Sequence, residues 1–79
     1  MNKKAFITLK LFATLGKFTP DSADNYPVEP GTSVRELIAG LKIPEEKAKL
    51  IFIDGVKGEL DSTLNGGERI GIFPPVGGG

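Results

Sequence analysis

The chain has 79 residues with no cysteine and no histidine. That bounds it to one small domain held by apolar packing, without disulfides or a zinc site. Ten basic and ten acidic residues cancel, which argues against a nucleic-acid binder; the densest basic cluster is Lys3-Lys4. No apolar run approaches ~18 residues, so no membrane span is expected, and a cytoplasmic protein is the expectation.

The opening MNKKAFITLKLF imitates a leader for a few residues. Thr8 and Lys10 interrupt its apolar run and no small-residue cleavage site follows, so it reads as a strand. Over residues 5–12, Ala5, Ile7, Leu9 and Leu11 alternate with Phe6, Thr8, Lys10 and Phe12. Period two with aromatic and β-branched content predicts a strand with one core face. Phe6 and Phe12 on the second face either cover a partial second core or stand exposed for a partner.

Residues 16–25, GKFTPDSADN, carry turn and loop chemistry, with Phe18 as an anchor. Tyr26–Val28 predicts a short strand, and Pro27 puts it at an edge. After the turn at Pro30-Gly31-Thr32, Ser33-Val34-Arg35-Glu36 fits a capping box. Val34, Leu37, Ile38 and Leu41 then share one helix face, and Gly40 suits the helix end. A helix of about ten residues is too short to persist alone and must pack on a sheet.

Pro44-Glu45-Glu46-Lys47 predicts a short helical turn. Leu50–Ile53 is an apolar strand, Asp54-Gly55 a hairpin turn, and Val56-Lys57 the start of the return. Residues 60–64 read as a connection and Asn65–Glu68 as a turn. Arg69–Phe73 predicts the last strand, with Ile70 and Ile72 on one face and Arg69, Gly71 and Phe73 on the other. The order ββαβββ predicts an α+β fold: a mixed sheet of four or five strands on one main helix.

Catalytic chemistry is poorly served. Without His or Cys the commonest nucleophile–base pairs are missing. The carboxylates fall in turns or on polar helix faces, and Glu45-Glu46 suits a helix start. Gly66-Gly67 precedes a strand rather than a helix, so it is no phosphate-binding loop. The chain is not expected to be a catalyst on its own.

The last residues, FPPVGGG, divide into parts. Pro74 and Pro75 lack an amide N–H and stop the strand. Val76–Gly79 can span up to ~14 Å when extended. Glycines allow the backbone to lie close to another molecule. Such an end is either frayed or built to deliver its α-carboxylate into another protein's site. An ionised carboxylate is a poor electrophile and needs activation, for example as an acyl-adenylate.

Phe73-Pro74-Pro75-Val76-Gly77-Gly78-Gly79 resembles the terminus of the MoaD family, small subunits of molybdopterin synthase, whose pattern is Phe-Pro-Pro-Val-x-Gly-Gly. The strand 10–13, the helix start 31–37 and the turn 65–70 resemble that family in the same order. The resemblance implies a ubiquitin-like β-grasp fold over residues 1–75 and a sulfur-carrying tail over 76–79. It implies that an E1-like, MoeB-type enzyme uses ATP to adenylate Gly79, and that sulfur from a donor such as a cysteine desulfurase converts the adenylate to a thiocarboxylate. It further implies delivery to a cyclic pyranopterin in a MoaE-type large subunit, for a molybdenum or tungsten cofactor. No permanently bound cofactor is implied.

Carried onto this sequence, Gly79 is the sulfur-bearing site and Gly78 its neighbour in a narrow channel. Phe73 matches an interface position, with a core role as the alternative. Pro74, Pro75, Val76 and Gly77 follow it in the bound segment, and Phe12 and Val56 extend the docking surface or belong to the core. Asp54 stands where the family often has Asn, and Gly66 where it often has an acidic residue. The triple glycine also resembles the ThiS family, sulfur carriers for the thiamin thiazole. A β-grasp interaction module without sulfur chemistry is a third reading.

Overall fold

In a computed structural model, residues 5–75 are described. The strands are β1 (Ala5–Leu11), β2 (Tyr26–Val28), β3 (Thr32–Ser33), β4 (Leu50–Ile53), β5 (Val56–Lys57), β6 (Thr63–Leu64) and β7 (Arg69–Phe73), with one helix, α1 (Val34–Gly40), after β3. Five strands form a mixed sheet in the order β2-β1-β7-β4-β5. The first and last strands, β1 and β7, run parallel with Leu9 beside Ile70 and Leu11 beside Ile72. The other pairings in this sheet are antiparallel.

The alternation of β1 and β7 sorts their side chains as expected. Ile7, Leu9, Ile70 and Ile72 are buried on one face with Ile51 of β4. Val34, Leu37 and Ile38 of α1 close over that face. Burying such aliphatic side chains contributes roughly 1.5–3 kcal/mol each before entropy is subtracted. A seven-residue helix has no stability without that contact.

Local chemistry starts α1 as the sequence predicts. The Ser33 hydroxyl accepts from the Glu36 amide at 3.1 Å, and the Ser33 amide donates to Glu36 Oε1 at 2.9 Å. A second support is remote. The amides of Val34 and Arg35 donate to the carbonyls of Ser62 and Leu60, both at 2.9 Å. All four unpaired donors of the helix start, the amides of Ser33 through Glu36, are thus satisfied.

The helix ends earlier than the ten residues expected. The left-handed position is Lys42 (φ 66°), not Gly40. The Ile43 amide then donates back to the Ile38 carbonyl at 2.9 Å, closing the end. Residues 60–64 are more than a connection: Thr63 and Leu64 form β6, which pairs with β3. Leu64 is fully buried there. The 16–25 loop is also more ordered than its composition suggests. Short 3-10 turns span Ala13–Phe18 and Ala23–Asn25, and Leu15 plugs the core while Phe18 packs against it.

Two turns show why their residues are required. At the β4–β5 hairpin, Asp54 and Gly55 take φ 54° and 82°, the pair of positive values that a two-residue turn demands. At residues 65–67, a Cβ on Gly66 (φ 120°) would lie 2.5 Å from the Ala5 Cβ. Both Glu68 carboxylate oxygens hold this turn, accepting from the amides of Asn65 (2.8 Å) and Gly66 (2.7 Å). The acidic residue of the related pattern would therefore meet both strain and a clash at position 66.

Ser33→Ala should lower unfolding free energy by about 1 kcal/mol in urea titrations. Gly66→Ala should cost more, about 1–3 kcal/mol, because strain and overpacking combine.

Candidate functional site: an aromatic groove beside the end of the central strand

The face of the sheet away from α1 carries the candidate site. β7 is the central strand, so its last residue, Phe73, has neighbours on both sides. The Phe12 amide donates to the Ile72 carbonyl at 3.1 Å, which continues the parallel ladder and brings Phe12 next to Phe73. Their rings stack with centroids 4.1 Å apart and planes 1° from parallel. Phe52 of β4 meets Phe73 edge-on, at 5.8 Å and 85°. Three aromatic rings from the first, second-to-last and last long strands thus form one ladder.

Gly71 leaves a gap within it. On β7 this face reads Arg69, Gly71, Phe73, and Gly71 sits between Lys10 of β1 and Phe52 of β4. The result is an open groove of ≈ 260 Å³, with Phe12, Phe52 and Phe73 as apolar walls and Lys10 and Arg69 at its rim. A Cβ on residue 71 would touch the Phe12 ring at 3.4 Å.

The sequence-derived site residues divide. Phe12 is 39% exposed and Phe73 half-buried, so Phe12 is not a core residue and both contribute to the groove. Val56 does not join it. The register places Val56 opposite Ile53, which is itself opposite Ile70 on the helix side. Val56 is 69% exposed at the sheet edge and belongs to the core no more than to the groove. Phe6 is exposed on the groove's face but at the far end of β1. Pro74 and Pro75 follow Phe73 directly, without strand pairing. Val76, Gly77, Gly78 and Gly79 lie outside the described residues.

Phe52 is the wall that sequence reasoning left unassigned. Leu50-Ile51-Phe52-Ile53 reads as an unbroken apolar run. Its hidden period of two, with Ile51 buried and Leu50 and Phe52 on the other face, was the available signal.

The groove's lining is apolar apart from the two cations Lys10 and Arg69. Among the described residues, no group of three His, Cys, Asp or Glu side chains could hold a metal ion. The exposed Arg35 lies on α1, where its pKa is raised, first by its hydrogen bond to Asp61 and then by that carboxylate's charge. Glu45 adds a second ion pair to it at 3.4 Å. Among the described residues, no helix is long and apolar enough to cross a membrane.

Against known proteins, the model of the ThiS family matches residues 9–79. The chain belongs to the ThiS family. Among solved structures, it is similar to a Pyrococcus furiosus protein described as molybdopterin converting factor, subunit 1. The two are 25% identical with a TM-score of 0.63, over 91% of this chain and 99% of that one. No curated protein matches. The fold of this ThiS-family chain is therefore the ubiquitin-like β-grasp, and its class is that of the small MoaD- and ThiS-type sulfur carriers.

A double-mutant cycle on Phe12→Ala and Phe73→Ala should give a coupling of about 0.5–1.5 kcal/mol in urea unfolding. Phe12→Ala alone should cost less than Ile70→Ala, for which about 2–5 kcal/mol is expected at a fully buried site.

Proposed function

We propose that this protein carries sulfur on the carboxylate of Gly79 and delivers it during molybdopterin synthesis. The observation that carries the reading is the placement of Phe73: the final residue of the central strand, part of an open aromatic groove, followed at once by Pro74-Pro75. Family membership and the likeness to a molybdopterin converting factor subunit support it. In this reading the groove docks the folded domain, and the prolines separate that surface from a glycine segment that enters the partner.

The chemistry uses no side chain of this protein. An oxygen of the Gly79 carboxylate attacks the α-phosphorus of ATP, and pyrophosphate leaves. Sulfur at the sulfide level, drawn from a cysteine desulfurase with a thiol reductant, attacks the acyl carbon; the bond to AMP breaks and a thiocarboxylate forms. At the large subunit, the sulfur displaces an oxygen substituent from a carbon of the cyclic pyranopterin, so that a C–S bond replaces a C–O bond, and hydrolysis of the acyl–sulfur bond restores the carboxylate. A MoeB-type adenylating enzyme and a MoaE-type large subunit are the partners. Because both would use one groove, they should exclude each other.

A second reading, a carrier for thiazole synthesis, is favoured by the triple glycine at 77–79. Pull-down separates the two: a molybdopterin synthase large subunit supports the first, a thiazole synthase the second.

With the adenylating enzyme, ATP and a sulfur donor, intact mass spectrometry should show a gain equal to exchange of one oxygen for sulfur. Fragmentation should place it on Gly79. Deleting Gly79, or appending a residue after it, should abolish the gain and leave the thermal transition unchanged. Binding without any ATP-dependent mass change would instead indicate an interaction module.

A further inference from the structure

The groove's rim is charged in one sense only. By register, the strand positions on this face are Phe6, Thr8, Lys10 and Phe12 with Arg69, Gly71 and Phe73, then Leu50 and Phe52, then Lys57 opposite Phe52 and Pro27 opposite Phe6. They include three cations and no carboxylate, in a chain whose charges cancel overall. Beside Arg69, Asp54 at the hairpin has one oxygen accepting from the Arg69 amide at 3.0 Å. Among the described residues the ion pairs involve Arg35 alone, on α1. Lys10 and Arg69 therefore flank an apolar groove with no carboxylate partner among the described residues.

We infer that the groove takes an acidic segment of the adenylating enzyme: one large apolar side chain seated over Gly71, with Asp or Glu beside it facing Lys10 and Arg69. Charge complementarity carries this choice. The gap above Gly71 has the apolar walls of an anchor pocket, and uncompensated rim cations select for partner carboxylates and speed encounter. Lys57 extends the same field toward the sheet edge. A nucleic acid fits less well, because it would need a longer track of phosphate contacts than the two cations lining the groove. The inference rests on the sulfur-carrier reading and adds the chemistry of its partner.

The test is adenylation of the full chain by its MoeB-type enzyme, followed by ATP–pyrophosphate exchange at low and high salt. KM for the carrier should rise with ionic strength, since exposed charges are screened beyond ~8 Å at physiological salt. Lys10→Glu with Arg69→Glu should raise KM about tenfold and flatten the salt dependence, with kcat little changed. Gly71→Val should raise KM at every salt concentration. Lys42→Glu, just past α1, reverses one charge away from the groove and should leave KM alone. Circular dichroism melts establish that each variant is folded, and if Gly71→Val is not, the charge pair decides. A salt-independent KM unmoved by the charge reversal overturns the inference while leaving the carrier reading intact. Failure of the unaltered chain to be adenylated overturns that reading, and the inference with it. Binding of single-stranded oligothymidylate in fluorescence anisotropy, lost in the charge-reversed variant, would assign the cations to nucleic acid instead.

Discussion

The pairing of β1 with β7 is the constraint on which the rest of this molecule depends. It joins the two ends of the described chain at the centre of the sheet. On one side it aligns Ile7, Leu9, Ile70 and Ile72 into the surface that α1 needs to be a helix at all. On the other it sets Phe12 against Phe73. The core and the groove are two faces of one ladder, related by the two-residue period of a strand. A slip of one residue in that ladder would exchange them.

In the proposed reading, the same ladder explains how a sulfur carrier takes part in covalent chemistry that uses none of its side chains. Reactivity is assigned to the terminus and to the partner enzymes. The folded part supplies position: a rigid central strand ending in Phe73, stops at Pro74 and Pro75, and a groove whose walls come from neighbouring strands. Stacking of Phe12 on Phe73 keeps much of two large apolar rings covered while leaving one edge of the cluster open. That combination suits a surface used by successive partners.

Much of this was legible in the sequence because its signals are local. The Ser33–Glu36 box, the Asp54-Gly55 turn and the alternation in β1 and β7 each report chemistry between residues a few positions apart. The features missed are those decided at a distance. β6 is two residues long and exists because β3 needs a partner. The start of α1 is held by carbonyls of residues 60 and 62, and the close approach to Ala5 that rules out a side chain on Gly66 comes from the other end of the chain. Phe52 was hidden in a uniformly apolar run, where period cannot show. The face of Val56 follows from register across the hairpin, which two strand residues cannot announce by themselves.

The route by which the groove is assembled has a consequence for the timing of competence. Two of its walls, the stacked Phe12 and Phe73, are drawn from the two ends of the fold, and the loop between them must close before either ring has its neighbour. Closure of so long a loop comes late relative to local hairpins and turns. A partly folded chain would carry every residue of the glycine segment and still lack the surface that docks it. Under the proposed function, recognition of the groove would double as inspection: an adenylating enzyme that must hold Phe12 and Phe73 together would spend ATP only on carriers that have finished folding.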